Sequence, residues 1–549
     1  MFRNFIVISL RSLATHRIYS LINILGLAIG MASVLLITIY VLNELSYDKF
    51  HQDAGKIYRI NVHGILRGMD LNTAVTPTLM AETVVNEVDE VNEVLRMGYF
   101  NAWLVESDYA RYNEDNFMFA DSNFFRFFSF HLIKGDPDSV LMKPRSIVLT
   151  ESAAKKYFGE EDPIGKKLTI ENEEKWFTVT GLMEDVPDNS HFRFDLLGSL
   201  VTYEDFLPDL WLHHILYTYI KIDKPSEAFE VERKINEFVD KYTAPQIEEY
   251  LDVEMDDTTD GRQSIRYDLQ KLTRIHLYSD LDNELEANGK AFYIYTFGVI
   301  AILILIIACL NFMNLSTANS SNRSREVVLR KVIGSSRRIL IFQFLTESVI
   351  FSFIALIFAF LFTEILMPYF NSYLGLNLQF HILKNMPTVL LIILFTFVLG
   401  LLAGSYPAFF ISSYDPVRVL HGTLNKGVRN RKVRSVFIIF QFSVSILIII
   451  ISFVVFAQVK HMLHKDLGFE KERVLVIRRP DALGDKISEF QNEALQYPNI
   501  ESITNSNSIP GRNFITTSYI LEEHSVRKNF IMNHLYVNHD FREAFDLKM

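Results

Sequence analysis

Residues Ser316–Leu340 read STANSSNRSREVVLRKVIGSSRRIL, and the rest of the chain is arranged around this stretch. It is short and polar, contains one carboxylate, Glu326, and has a long apolar run on each side. Its basic residues are Arg323, Arg325, Arg330, Lys331, Arg337 and Arg338. Lys and Arg residues close to membrane spans favour the cytoplasmic side. We therefore interpret the stretch as a short helix against the cytoplasmic membrane surface.

Five apolar runs concentrate the hydrophobic residues, which make up 49% of the 549-residue chain. We place the five spans at residues 18–42, 291–315, 341–365, 388–411 and 435–457. Each has about 20–25 residues, enough to cross a hydrocarbon core of about 30 Å. Buried helices of a soluble protein would be shorter and more amphipathic. The first run is too long for a cleaved signal peptide, so we interpret it as a retained anchor.

Basic residues near the ends of the spans predict the orientation. Residues 1–17, an expected interfacial amphipathic helix, contain three Arg and no acid, and the 412–434 linker is also basic. The 366–387 loop has one basic residue, Lys384. We therefore expect a cytoplasmic N-terminus. Residues 43–290 and 458–549 then lie outside, the former with 48 Asp and Glu against 26 Lys and Arg.

Motifs for catalysis and for cofactor or metal binding are missing from the sequence. It has no GxxxxGK[ST], GxSxG or HExxH pattern. Asp256–Gly261 resembles the start of a calcium loop, but Tyr267 replaces its final Glu. His213 and His214 lack a third ligand nearby in the sequence. We therefore expect a non-catalytic subunit with no cofactor, no metal and no nucleic-acid partner. The single cysteine, Cys309, also excludes a disulfide within the chain.

The region between the first two spans is predicted to be a mixed α/β domain. Residues 56–60 alternate as in a strand, two further strands are expected at 146–150 and 215–222, and 167–170 with 176–181 indicates a hairpin. Helices are expected at 77–94, 151–158 and 226–242. Seven Phe residues between 116 and 131 are typical of a core. The fold class is thus an α-helical integral membrane protein with an α/β extracytoplasmic domain.

Two GxxxG patterns lie in the spans, Gly26–Gly30 in the first and Gly400–Gly404 in the fourth. Small residues at i and i+4 let two helices approach closely in lipid, so we predict packing contacts there. Chance matches are common, which leaves a purely coincidental pattern as the alternative.

An internal repeat begins at the fifth span, because its basic lead-in and the following DLGFEKERVLVI resemble the first span and its continuation. Residues 458–549 would then begin a second outer domain, and a full second copy would extend well beyond Met549. We expect a truncated chain. A small complete second ectodomain is the alternative.

These features resemble the MacB/FtsX-type permeases of ABC transporters, in the tandem two-repeat form typical of Bacteroidetes. The resemblance rests on motifs spread over nearly the whole chain, NILGLAIG (23–30), ELSYDKFH (44–51), Ser146–Gly165, NFMNLS (311–316), REVVLRKVIG (325–334) and Tyr406-Pro407-Ala408. It implies a MacB-core-like periplasmic domain at 43–290, a multi-pass protein of the bacterial inner membrane, and a cytoplasmic ABC ATPase on a separate chain. Membrane lipid and a periplasmic adaptor are further implied partners.

The resemblance also implies that the basic stretch contacts the ATPase. The expected coupling residues are Arg323, Arg325, Glu326, Arg330, Lys331 and Gly334. A simple i, i+4 pair between Glu326 and Arg330 that supports the helix is the alternative. The implied function is mechanotransmission, in which ATP hydrolysis moves the periplasmic domain to export or extract peptides, drugs or lipoproteins. An FtsX-like regulator of a cell-wall hydrolase is the second candidate.

Overall fold

The computed structural model divides the chain into two compact units. The helical unit contains Met1–Tyr47 and Gly289–His461, and the α/β unit contains Asp48–Asn288 and Met462–Met549. The structure describes residues 7, 11, 15, 17–66, 69–99, 103–170, 175–251, 264–318, 327–378, 386–413, 427–469, 473–478, 480–509, 515–523 and 526–547. Most of the predicted helix at residues 1–17 lies outside these ranges.

The elements run along the chain with helices and strands interspersed. The helices are α1 (Arg17–Glu44), α2 (Met80–Glu87), α3 (Phe124–Phe127), α4 (Glu151–Phe158), α5 (Ala228–Phe238), α6 (Ala244–Leu251), α7 (Ile275–Tyr278), α8 (Ala291–Ala318), α9 (327–332), α10 (Arg337–Leu374), α11 (Met386–Ile411), α12 (Gly427–His464), α13 (Ile487–Ala494) and α14 (Phe541–Ala544). The strands are β1 (Ile57–Leu66), β2 (Met69–Thr73), β3 (Thr76–Pro77), β4 (Val91–Tyr99), β5 (Trp103–Glu106), β6 (Arg111–Glu114), β7 (Phe117–Ala120), β8 (Leu132–Lys134), β9 (Ser146–Thr150), β10 (Lys167–Ile170), β11 (Lys175–Met183), β12 (Leu196–Ser199), β13 (His214–Ile222), β14 (Ser264–Lys271), β15 (Ile515–Glu523) and β16 (Val526–His534).

Five helices of the helical unit, α1, α8, α10, α11 and α12, are long and apolar enough to cross a membrane. Small side chains form the contacts among three of them: Ala28 of α1, Ala355 and Ala359 of α10, and Ala403 of α11 are fully buried. Small residues allow close backbone approach where lipid gives no hydrophobic drive for association. The chain is thus an α-helical membrane protein, as predicted.

Helix α10 is longer than the predicted span at 341–365. It begins at Arg337 and continues through Pro368 to Leu374 before Gly375, which adopts a left-handed conformation (φ +67°), ends it. The added C-terminal turns place Met367 in a small apolar cluster with Leu36 and Ile39 of α1. Tertiary packing therefore extends the helix beyond its most hydrophobic residues.

The α/β unit is built on one large sheet with the strand order β14-β1-β13-β4-β7-β12-β9-β11-β10-β5-β6. The β7–β12 and β9–β11 pairs are parallel, and the other pairs along this path are antiparallel. Strand β2 pairs with β1, β3 with β13, and β8 with β11. Such a mixed sheet, with helices packed on it, confirms the predicted α/β domain.

Several predicted local elements are confirmed. Helix α4 begins after Thr150, whose hydroxyl accepts a hydrogen bond from the Ala153 N–H at 3.2 Å, and ends at Gly159 (φ +62°). Ser, Thr, Asp or Asn before a helix and Gly after it are the usual end signals. The Phe-rich stretch is core, with Phe124 and Phe128 fully buried.

The predicted helix at 77–94 is wrong in its second half. Helix α2 ends at Glu87, Val88 is extended, and β4 starts at Val91. Val91 and Val94 continue the apolar spacing of the helix, which made one long helix plausible. The sheet overrides that spacing, because β4 pairs with β13 from Val91 to Met97.

Candidate coupling site

The short helix α9 is joined to α10 by a tight turn at Gly334. The Ser335 N–H donates to the Arg330 carbonyl at 2.9 Å, and the Gly334 N–H donates to the Lys331 carbonyl at 3.0 Å. Gly334 has φ +105°, a conformation that side chains with a Cβ disfavour. The glycine therefore permits the sharp reversal between a surface helix and a membrane helix.

One side of α9 is anchored in the helical unit by apolar packing. Val327 and Val328 are buried, and Val327 belongs to a cluster with Leu340 and Phe344 of α10 and Ala408 of α11. Burying an aliphatic side chain contributes about 1.5–3 kcal/mol. The helix is thereby packed against two membrane helices at once.

Two of the basic residues strengthen this anchor. Arg330 donates from Nη1 to the side-chain oxygen of Gln343 on α10. Lys331 donates from Nζ to the Ser412 carbonyl, just beyond α11, at 2.7 Å, and Arg337 Nε lies 3.5 Å from the Ser412 hydroxyl. Arg330 and Lys331 thus fix α9 to α10 and α11 through charge-assisted hydrogen bonds.

The opposite side of α9 is apolar and exposed. Leu329, Val332 and Ile333 have 60%, 64% and 84% of their surfaces exposed. Their spacing of i, i+3 and i+4 places them side by side. We call these three residues the apolar row. Sequence analysis missed it because the basic residues dominate the stretch, although the helical spacing of three aliphatic residues was a usable signal.

The structure brings together only some of the predicted coupling residues. Arg330, Lys331 and Gly334 lie in α9 and its turn, whereas Arg323, Arg325 and Glu326 are outside the described residues. A pairing of Glu326 with Arg330 therefore stays a prediction. Docking by Arg330 and Lys331 also stays a prediction, and both have contacts within the helical unit.

The glycines of the two GxxxG patterns lie at close approaches between helices. A Cβ added to Gly30 of α1 would lie 2.7 Å from the Ala308 Cβ of α8, and one on Gly26 would lie 3.2 Å from the Asn311 side-chain nitrogen. A Cβ on Gly400 of α11 would lie 2.8 Å from the Val349 Cα of α10. Gly404 faces α10 in the same way. These distances leave little room for a larger residue.

Two family models match successive parts of the chain. The model described as MacB-like periplasmic core domain matches residues 20–238, and the model described as FtsX-like permease C-terminal matches residues 298–416. The second match contains all of α9, α10 and α11, including the turn at Gly334.

Relatives of known family are similar over different lengths of the chain. An uncharacterized ABC transporter permease of Bacillus subtilis, YvrN, is 21% identical over 75% of this chain and 98% of its own. The macrolide export ATP-binding/permease protein MacB of Campylobacter jejuni strain 81-176 is 29% identical over 25% of this chain. The match covers 21% of that relative, so the chain spans about a fifth of its length.

Among solved structures, the periplasmic region of MacB from Actinobacillus actinomycetemcomitans covers 37% of this chain and 94% of its own, with 16% identity and a TM-score of 0.25. The two adjacent family matches carry the assignment, and YvrN is similar over most of the length. The chain belongs to the MacB/FtsX-type permeases of ABC transporters.

Proposed function

We propose that the chain couples ATP hydrolysis by a separate cytoplasmic ATPase to movement of its α/β domain outside the membrane. In this proposal the protein lies in the bacterial inner membrane with its N-terminus in the cytoplasm. The basic residues beside the spans support that orientation. The permease itself performs no catalysis, and the family implies an ATPase as its partner.

One observation carries the proposal. Helix α9 is fixed to α10 and α11 through Val327, Arg330 and Lys331, and presents the apolar row on its other side. A partner that binds the row would therefore act directly on two membrane helices. Exposed aliphatic residues in a row, flanked by basic side chains, are suited to a protein interface with an apolar centre and a polar rim.

The names of the relatives suggest a class of substrate. The MacB relatives are named as macrolide export proteins, so macrolide-like drugs are the first compounds to test, followed by peptides and lipoproteins. The match to the MacB-like domain model favours a transporter over the regulator of a cell-wall hydrolase. A periplasmic adaptor is a further proposed partner.

The test is purification of the full chain from native membranes and identification of co-purifying proteins with a Walker motif. We expect an ABC ATPase with the wild type and with Phe206→Glu, an exposed apolar position (76%) in the α/β unit. The ATPase should no longer co-purify with Ile333→Glu. The proposal fails if no such ATPase co-purifies with the wild type, or if Ile333→Glu retains as much as the control.

A further inference from the structure

A chain of buried polar side chains crosses the α/β unit between the two points where this unit continues into membrane helices. Asp48 follows the last residue of α1, Glu44, by four positions, and Glu284 precedes the first residue of α8, Ala291, by seven. Between them lie His191, Tyr219 and Arg59. We call these five residues the joint.

The first half of the joint fixes the chain that leaves α1. Asp48 has φ +57° and a fully buried side chain, and its N–H donates to the Asn189 carbonyl at 2.9 Å. Its Oδ1 accepts from the His191 N–H at 3.1 Å and lies 2.8 Å from His191 Nδ1. A carboxylate only accepts, so the imidazole Nδ1 donates. His191 Nε2 then lies 2.7 Å from the Tyr219 hydroxyl.

The second half fixes the chain that enters α8. Tyr219 and Arg59 are directly paired residues on the neighbouring antiparallel strands β13 and β1, so that their side chains lie on the same face of the sheet. The Arg59 side chain is fully buried, and its two terminal nitrogens lie 2.7 Å from the two Glu284 oxygens. Ser279 contacts both partners of this pair. Such a bidentate pair fixes both the distance and the orientation between the guanidinium and the carboxylate.

Backbone contacts hold the same segment to the sheet. The Asp282 N–H donates to the Asn72 carbonyl at 2.8 Å, and the Ala74 N–H donates to the Asp282 carbonyl at 3.1 Å. The Tyr217 hydroxyl of β13 donates to the Asn283 carbonyl at 2.7 Å. The chain before α8 therefore cannot shift against the sheet without breaking several hydrogen bonds.

We propose that the joint makes the two connections to α1 and α8 move the sheet as one body. This role rests on the proposed function, since it requires that the membrane helices move the outer domain. Apolar packing alone permits sliding, because it has no preferred direction. Directional hydrogen bonds between buried or largely buried groups resist sliding, and each broken bond leaves such a polar group without its partner.

The test follows domain movement in the complete complex with its ATPase in lipid nanodiscs. The only cysteine, Cys309, is replaced by Ser, and spin labels are placed at Phe229→Cys on α5 and Tyr373→Cys on α10, both more than three-quarters exposed. The distance between the labels is measured by pulsed electron resonance with and without ATP. We expect an ATP-dependent change in the wild-type background.

Tyr219→Phe removes only the hydroxyl that contacts His191 Nε2, and with it the contact of the first half of the joint to β13. We expect it to bind and hydrolyse ATP while the ATP-dependent change in distance falls by at least half. Tyr267→Phe is the matched control, because that buried hydroxyl contacts Thr243 at 2.9 Å, away from the joint. If Tyr219→Phe does not fold, Ser279→Ala is a milder second variant. We expect it also to reduce the ATP-dependent change in the distance between the labels.

The proposed role of the joint is contradicted if its variants show the same ATP-dependent change in distance as Tyr267→Phe. In that outcome the wild type still moves with ATP, so the proposed function stands. If the ATPase binds and hydrolyses ATP but the wild type shows no change in distance, the proposed movement fails, and the joint fails with it.

Discussion

Arg59 and Glu284 form a buried pair in which two hydrogen bonds of 2.7 Å join the guanidinium to the carboxylate, 225 residues apart in the sequence. The Arg59 side chain has no exposed surface, and that of Glu284 has 11%. Burial alone would raise the pKa of the Glu284 carboxyl, but the hydrogen bonds and charge of Arg59 outweigh it and hold this pKa below its usual value.

Breaking this pair should strongly destabilise the α/β unit. Arg59→Met leaves a largely buried carboxylate without its partner, and removal of one member of such a pair costs about 3–5 kcal/mol. We expect a correspondingly lower free energy of unfolding for the full chain in urea. The control is Arg233→Met, since Arg233 pairs with Glu230 and Glu237 on an exposed face of α5. Equal stability of the two variants would contradict the prediction.

The contacts within the joint could not be predicted from a single sequence. Asp48 and His191 lie 143 positions apart, and only the pairing of β1 with β13 places Arg59 beside Tyr219. The sequence drew attention to ELSYDKFH (44–51) as a motif but offered no partner for its Asp48. Long-range strand order and register decide such contacts, and a pattern of local hydrophobicity does not contain them.

Features that depend on local chemistry were predictable. The five membrane helices follow from runs of apolar residues, and α4 follows from Thr150 and Gly159 at its ends. The exposed face of α9 was not predictable from the sequence, because packing against α10 and α11 determines which side of this helix is covered. The basic stretch was interpreted as a surface helix with Arg330 and Lys331 as coupling residues, and the structure gives both of them hydrogen-bond partners in the helical unit, which the sequence did not predict.

Replacement of Gly30 by Ala should weaken the packing of α1 on α8. The added methyl would lie 2.7 Å from the Ala308 Cβ, so the helices must separate, and such overpacking costs about 1–3 kcal/mol. Thermal unfolding in detergent measures the loss. Gly298→Ala in α8 is the control, because apart from the helix's own neighbouring backbone no atom lies within 4 Å of a Cβ there. The double variant Gly30→Ala/Ala308→Gly should recover most of the stability, and no recovery would argue against this contact.

Stability of the α/β unit should fall between about pH 6.5 and pH 4. Burial lowers the pKa of His51 from 6.5 to about 4, because it disfavours the charged imidazolium. In this interval the unfolded chain binds a proton that the folded chain does not, so acid favours unfolding. The shift corresponds to at most about 3 kcal/mol, fully lost below pH 4.

The pH effect can be assigned with two asparagine variants. The His51 Nδ1 accepts from the Ser129 N–H at 3.0 Å, and an Asn oxygen offers an acceptor at a similar position without titrating. His51→Asn should therefore reduce the fall in melting temperature between pH 6.5 and 4, and the part that remains is expected from His214, because burial also lowers the pKa of His214 to about 4. His131→Asn, at a mostly exposed pair with Glu184, should leave the slope unchanged. A slope in His51→Asn as steep as in the wild type would contradict the assignment to His51.

Binding and transmission should be separable within α9. Ile333→Glu places a charge in the exposed apolar row, and loss of a central apolar contact of an interface costs at least about 1.4 kcal/mol, a tenfold weaker affinity.

Arg330→Met instead removes the hydrogen bond to Gln343 on α10 and leaves the row intact. Its affinity for the ATPase should stay within about threefold of the wild type, while ATP-dependent movement of the α/β domain decreases. Surface plasmon resonance with the ATPase and the spin-label distance measure the two effects, with Arg338→Met in the first turn of α10 as the control. If Arg330→Met weakens binding as much as Ile333→Glu does, Arg330 belongs to the docking surface and does not act only as the link to α10.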